Sequence, residues 1–328
     1  MFLVGVNILV WAWAFLAFRD YPILMGTAFV AYIFGLRHAV DADHIAAIDN
    51  VTRKLMQEGK RPAAAGLFFA LGHSTVVMLA SAFIAVTASS LESRFPSLKL
   101  AGGMISTSAS AFFLFVLAGA NMVVLRSVYR TFRRVRGGAL IDEDLDRLLA
   151  QRGLYSRLFQ RLFRLVASSW HMYPVGILFG LGFDTATEIG LFGISAAQAS
   201  SGLSIGSILI FPALFAAGMS LADMADGLLM VGAYGWAFAK PVRKLYYNLT
   251  VTFVSILVAL IVGGIETLGL IANEMNLTGP FWNLVAALNG NFGKLGYLVV
   301  AVFAVSWFVS IAVYRVRRYD RIDTIGSG

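Results

Sequence analysis

The stretch that most constrains this chain is residues 34–50, which read FGLRHAVDADHIAAIDN. It continues an apolar run long enough to lie in a membrane. Yet little more than three helical turns hold the ionisable residues His38, Asp41, Asp43, His44 and Asp49. A charged side chain at the centre of a bilayer costs about 2.5–3.5 kcal/mol on insertion scales, and such residues face a protein interior or an ion. The stretch therefore predicts a buried polar site inside a membrane bundle.

The composition of the whole chain indicates a membrane protein. Hydrophobic residues make up 59% of the 328 residues and charged residues 13%, with a mean hydropathy of +0.76. Soluble domains are about half apolar and about a quarter charged. We expect a single integral-membrane domain over residues 1–328. Cysteine is absent, which excludes a disulfide framework and a thiolate metal site. The first residues lack the basic region of a signal peptide, so they predict a first membrane helix.

Eight apolar runs predict eight membrane spans, near residues 2–18, 23–50, 63–89, 100–125, 172–195, 203–237, 246–271 and 295–314. Lys and Arg concentrate after every second run, beginning with Arg53, Lys54, Lys60 and Arg61. Because positive charge is enriched on the cytoplasmic side, both termini are predicted to be cytoplasmic.

The segment 126–170 is rich in Arg and carries leucines at roughly helical spacing. This pattern predicts a cytoplasmic amphipathic loop at the membrane surface. Basic residues on the inner side of a membrane protein have a topological explanation, so nothing in the segment points to nucleic acid.

Two short patterns recur across the chain. They are FGL at 34–36 and 179–181, and FALGHS at 69–74 against FAAGMS at 215–220. The matching spans lie three apart, so they cross the membrane in opposite directions. The sequence therefore predicts an inverted-topology repeat of spans 1–3 and 4–6, followed by two further helices. Such repeats place a substrate site near the membrane midplane, between the two halves.

Helical geometry limits which residues of the first stretch can act together. On a regular helix, His38, Asp41 and His44 lie within about 120° of one another, whereas Asp43 points nearly opposite Asp41. One possibility is that the helix is unwound between Gly35 and Asp41, so that His38, Asp43 and His44 converge. Another is that Asp43 serves a different helix and Asp41 takes its place. A mixed set of imidazole and carboxylate favours nickel, cobalt, copper or zinc over magnesium or calcium.

Further ionisable residues lie in the other apolar runs. His73 is expected to be a ligand or a partner of a ligand. Two carboxylate pairs share a helix face, Asp184 with Glu188 and Asp223 with Asp226. Such pairs repel in hydrocarbon and need a cation, a proton or hydrogen-bond donors. We expect these acids to line a pathway, complete a metal shell or carry protons.

One basic residue stands among these embedded acids. Arg37 is predicted to be their counter-charge.

Four ordered motifs resemble the signatures of the nickel/cobalt transporter family NiCoT. They are RHAVDADHI at 37–45, LGHSTVV at 71–77, LGFDTATEI at 181–189 and FPALFAAGMSLADMADG at 211–227. The resemblance implies a multi-pass uptake permease of eight helices in a bacterial inner membrane. It implies Ni²⁺ or Co²⁺ as the transported substrate, the lipid bilayer as surroundings, and neither a prosthetic group nor enzymatic activity.

Within that resemblance, His38, Asp43 and His44 correspond to the family's His-x4-Asp-His signature in the second helix. The chain departs from the family pattern at Met224, where Thr is usual, and it begins almost directly at the first span.

The residues leave three alternatives open. A nickel or cobalt exporter of similar core usually carries a His-rich cytoplasmic segment, and residues 126–170 contain no His. A membrane-embedded metalloenzyme is disfavoured because no His-Glu-x-x-His helix is present and the acids and imidazoles spread over four spans. A sensor that binds metal without moving it is the third. No obligate protein partner is evident.

Overall fold

The computed structural model describes residues 2–87, 95–136, 166–181, 186–237 and 241–316. Apart from turns and short connections these ranges are helical, and they contain no strand, so the all-α class is confirmed. In chain order the helices are α1 (Phe2–Phe18), α2 (Pro22–His38), α3 (Ala42–Gln57), α4 (Ala65–Thr87), α5 (Phe95–Arg136), α6 (Met172–Gly180), α7 (Ala186–Ser200), α8 (Ile205–Ile208), α9 (Ile210–Ala237), α10 (Pro241–Glu274), α11 (Pro280–Asn289) and α12 (Phe292–Val316).

The helices include several that are long and apolar enough to cross a membrane. Within the described ranges four qualify alone: Ala65–Val86, Ile205–Gly235, Leu249–Glu274 and Lys294–Val313. Helices α2 and α3 together could form a fifth span, but they are bent by 51° at their junction. The chain is thus a multi-pass membrane protein with four or five candidate spans. The eight spans inferred from hydropathy stay a prediction.

Several boundaries differ from the sequence interpretation. The second apolar run continues as α3 to Gln57, so Arg53 and Lys54 lie in a helix rather than a loop. Residues 126–136 prolong α5, and the remainder of the predicted cytoplasmic loop, 137–165, lies outside the described residues. Helix α11 lies between the seventh and eighth predicted spans, where no helix was predicted; Pro280 suits the first turn of a helix and apolar residues follow it.

Helix α3 lies at the centre of the described bundle. It packs against α4, α5, α9, α10 and α12. Every residue from Ala42 to Leu55 except Asp43 is buried, although the sequence ADHIAAIDNVTRKL is strongly polar. Polar groups removed from water cost free energy unless each is hydrogen-bonded or paired. The neighbouring helices must therefore supply partners to α3.

Arg53 receives its partners from α3 itself, α5 and α10. Its guanidinium is fully buried and donates to Thr252 Oγ1 at 3.1 Å and to Asn50 Oδ1 at 2.9 Å. Asn121 on α5 donates to the same Asn50 oxygen at 2.7 Å. These bonds tie the second half of α3 to two neighbouring helices.

Asp49, one turn earlier on α3, is also fully buried. Its carboxylate accepts from Ser255 Oγ on α10 at 2.8 Å and from the hydroxyl of Tyr234 on α9. Near the end of α3, Lys54 Nζ donates to the Val166 carbonyl oxygen at 2.6 Å. The hydrogen bonds of the buried polar side chains of α3 thus connect this helix to four other segments of the chain.

Two helix pairs cross at very close range, α2 with α9 and α4 with α6. Glycines occupy the crossings: a Cβ at Gly35 would overlap the Phe215 carbonyl oxygen, and one at Gly72 would overlap that of Tyr173. Small residues allow such close approach of backbones in membrane bundles. Because α2 and α4 belong to the first predicted half and α6 and α9 to the second, each crossing joins the two halves.

Replacing Gly35 with Ala is expected to destabilise the bundle by about 1–3 kcal/mol, because the added methyl group meets backbone that cannot rotate away. Gly26→Ala, in the same helix, is the matched control, since a Cβ there meets nothing within 4 Å. Thermal unfolding of the purified variants in detergent measures the difference. Equal unfolding temperatures for the two variants would contradict the close crossing.

Candidate metal centre

The centre is built around a break in the helix at residues 39–41. Asp41 has an extended backbone, with φ −68° and ψ 147°, and occupies the N-cap position of α3. Aspartate is favoured there because its carboxylate can accept from the free N–H groups of the first turn. Here the side chain makes no such bond, and Oδ2 lies 3.0 Å from His38 Nδ1 instead. Because of the break, the C-terminal end of α2 and the N-terminal end of α3 converge at one point.

Three buried imidazoles meet at this point. His38 ends α2, His44 lies in the first turn of α3, and His73 comes from the middle of α4. Their exposed fractions are 2%, 0% and 3%, and one nitrogen from each lies within 4.8 Å of the others. Nitrogen ligands of one metal ion stand about 3.0–4.2 Å apart, depending on the angle between their bonds, given bonds of about 2.1 Å. A small inward shift of the rings would therefore let them share one transition-metal ion.

Carboxylates behind two of the imidazoles orient them toward the cluster. Asp41 accepts from His38 Nδ1–H, which leaves the lone pair on His38 Nε2. Both oxygens of Asp223, on α9, lie 3.4 Å from His44 Nδ1. His44 Nε2 is buried and has no hydrogen-bond partner among the described residues. A carboxylate that holds one ring nitrogen fixes the tautomer and raises the basicity of the other as a metal ligand.

The second half of the chain adds Glu188 to the cluster. The Oε1 atom of Glu188, on α7, lies 3.0 Å from His73 Nε2, which itself lies 3.0 Å from His38 Nε2. Thr187 Oγ1 lies 3.3 Å from His38 Nδ1. The site thus combines imidazoles from the first half of the chain with carboxylates from both halves.

The other predicted site residues lie around this group. Asp43 is half-buried in the first turn of α3, close enough for its charge to act on His38 and His44. Asp226 interacts electrostatically with Asp223 and with Asp49.

Two sequence expectations find less support around the cluster. Asp184 lies outside the described residues. Arg37, the predicted counter-charge, is exposed, and no ion pair links it to an acid within the ranges that the structure describes. The sequence analysis did not predict that the Arg53 guanidinium is buried and hydrogen-bonded.

The sequence analysis also did not predict that two phenylalanine side chains line the site. The ring of Phe69 stands perpendicular to His44 with centroids 4.8 Å apart, and that of Phe215 lies 5.5 Å from His38. These phenylalanines head the matching FALGHS and FAAGMS patterns, so the recurring pattern carried the signal. The break itself agrees with one of the two predicted geometries, an unwound helix between Gly35 and Asp41, and an aspartate followed two residues later by an acid is typical of a helix start.

The chain matches a known protein family. The family model is described as the high-affinity nickel-transport protein, NicO, and it matches residues 24–313 of this chain. The chain belongs to this family.

Curated relatives of the chain carry related names. It is 61% identical to the high-affinity nickel transport protein of Cupriavidus necator over 319 residues, 97% of this chain and 91% of that one. It is 41% identical to the nickel transporter NixA of Staphylococcus aureus over 315 residues, 96% and 93% of the two chains. It is 43% identical to the cobalt transport protein NhlF of Rhodococcus rhodochrous over 287 residues, 87% and 81% of the two. No solved structure matches the chain.

Family membership settles the broad class. The predicted resemblance to nickel/cobalt transporters is confirmed, and the chain is a transporter rather than an enzyme. The metal ion is its substrate and not a prosthetic group.

The geometry of Asp41 generates a prediction for metal affinity. Asp41→Asn removes the negative charge that holds His38 in one tautomer, so it is expected to weaken Ni²⁺ binding about 10–100-fold. Asp20→Asn is the control, because Asp20 is an exposed residue paired with Arg19 at 3.5 Å. Equilibrium binding of Ni²⁺ to the purified protein in detergent gives both affinities. Equal affinity in the two variants would show that Asp41 does not support the site.

Proposed function

We propose that this protein carries Ni²⁺ and/or Co²⁺ into the cytoplasm by secondary, alternating-access transport, with the ion bound at the cluster of His38, His44 and His73. One observation supports this above the others: three buried imidazoles converge at a break in the central helix of a chain that belongs to the high-affinity nickel-transport family. Nitrogen ligands suit late first-row metals and disfavour magnesium and calcium.

In this proposal the residues divide into ligands and supporting groups. The three imidazoles bind the ion directly, and Glu188 and Asp43 are available as further ligands to complete its coordination shell. Asp41 and Asp223 hold the imidazoles in place. Asp226 and Asp184 are assigned to the ion pathway, as the sequence predicts.

The proposed architecture keeps eight spans, an inverted repeat and two cytoplasmic termini in a bacterial inner membrane. The crossings of α2 with α9 and of α4 with α6 support the repeat, because the repeat relates α2 to α6 and α4 to α9 and so makes the two crossings equivalent contacts between the halves. The ends of two helices support it further, since α2 ends at His38, just after the FGL at 34–36, and α6 ends at Gly180, within the FGL at 179–181. Discontinuous helices of this kind form the binding sites of many inverted-repeat transporters.

Uptake is favoured over export on two grounds. The family model and the relative from Cupriavidus necator are named for high-affinity nickel transport, and the segment 126–170 has no His of the kind found in exporters. The membrane potential drives cations inward with about 2.3 kcal/mol per charge per 100 mV, so a divalent ion gains roughly twice that.

His38→Ala or His44→Ala is expected to abolish nickel uptake while the protein still inserts in the membrane, because each removes a direct ligand. His171→Ala is the matched control: its Nδ1 accepts from the Ser168 N–H at 3.1 Å at the start of α6, away from the cluster. Radioactive nickel uptake and counterflow in proteoliposomes, with voltage and pH gradients imposed separately, measure the effect. Near-normal accumulation by both cluster variants would overturn the proposed site.

A further inference from the structure

The last helix of the chain touches the break that builds the metal centre. Gly296, near the start of α12, is buried. A Cβ at this position would overlap the Val40 carbonyl oxygen and would come within 2.8 Å of the Val40 carbonyl carbon and 3.2 Å of that of Asp41. The two backbones therefore touch at the turn between α2 and α3.

This turn determines the position of a supporting carboxylate. Val40 and Asp41 are the last residues before α3, and the Asp41 side chain reaches back to His38 Nδ1. The turn carries no proline and no glycine to fix its shape, since residues 39–41 are Ala, Val and Asp. Backbone hydrogen bonds run from the Val40 N–H to the Arg37 carbonyl oxygen at 3.1 Å and from the Asp41 N–H to that of His38 at 2.9 Å, and beyond these the turn depends on what packs against it.

The side chains around Gly296 extend the same contact. Val40, Phe292 and Leu295 pack against one apolar cluster, whose buried members include Ala42 at the start of α3 and Val299 on α12. The cluster joins the first turns of α12 to the start of α3. None of these α12 residues belongs to the four motifs that carry the family resemblance.

We propose that Gly296 is a positioning residue for the metal site. Because Gly296 has no side chain, the backbone of α12 contacts the Val40–Asp41 turn, and this contact keeps Asp41 next to His38. The inference rests on the proposed function, since it assumes that the ion binds among the three imidazoles. It assigns a role in the site to a helix outside the predicted repeat.

The consequence of adding a methyl group follows from the two backbones. Neither side of the contact is the tip of a flexible side chain, so the helix or the turn must move. Helix α12 is the most exposed of the candidate spans, with 17% of its apolar window buried, whereas α3 is enclosed on all sides. Whichever side yields, the turn loses its support and Asp41 shifts relative to His38.

The test is Gly296→Ala in the full-length protein, purified in detergent and loaded with Co²⁺. We expect Co²⁺ affinity to fall about 10–100-fold, as for the loss of a group that orients a ligand. We also expect a changed visible absorption spectrum of the bound Co²⁺, because its coordination geometry changes. A role in folding alone would lower the unfolding temperature without altering the spectrum of the ion that still binds.

Gly264→Ala is the matched control, since Gly264 is a helical glycine of α10 whose Cβ would meet nothing within 4 Å. It is expected to leave the affinity and the spectrum unchanged. If Gly296→Ala does not insert, Phe292→Ala and Leu295→Ala probe the same contact from the neighbouring side chains. Wild-type affinity and spectrum in every α12 variant that folds would overturn the inference.

His44→Ala in the same assay separates this inference from the proposed function. If His44→Ala binds Co²⁺ like the unaltered protein, the proposed site itself is wrong. If His44→Ala loses binding while Gly296→Ala behaves like its control, the site stands and only the role of Gly296 fails.

Discussion

The structure depends on the burial of a polar helix inside an apolar bundle. Helix α3 carries an acid, an imidazole, an arginine and a lysine that are nearly or fully removed from solvent. Each would be very costly in hydrocarbon without a partner. The partners come from the surrounding helices, and the arrangement of those helices follows from that need. Toward Gln57 hydrogen bonds join several polar groups through Asn50, Asn121, Thr252 and Ser255, although Arg53 Nε and Thr52 Oγ1 have no partner among the described residues. Toward Ala42, His44 Nε2 has no such partner either, and in the proposed function the metal ion binds there.

The break before α3 turns this polar helix into a site. The 51° bend directs the end of α2 and the start of α3 toward the same point. Asp41 has the extended backbone that is usual for an N-cap residue, but its carboxylate contacts His38 Nδ1 instead of capping α3. Glycine contacts then fix the parts around the break: Gly35 against α9 and Gly296 against the turn itself. The site joins residues from both halves of the chain, and the alternating access proposed above requires such an arrangement.

Much of the site could be predicted from sequence because its signals are local. Ionisable residues in an apolar run indicated the buried polar centre, and the four motifs indicated the family. The partners across the fold could not be predicted, because Asp223 and His44 are separated by 179 residues and nothing local pairs them. Charge patterning misplaced Arg53 and Lys54 in a loop, since it treats basic residues as markers of topology and cannot see that neighbouring helices bury them. Hydropathy likewise missed α11, which is apolar but too short to span.

The central claim is that imidazoles bind the transported ion, and X-ray absorption at the nickel K-edge tests it most directly. The spectrum would be recorded on the Ni²⁺-loaded protein in detergent. The account predicts a first shell that includes nitrogen at about 2.1 Å, with the multiple-scattering pattern of two to three imidazole rings. A shell of oxygen atoms alone, without imidazole scattering, would contradict it.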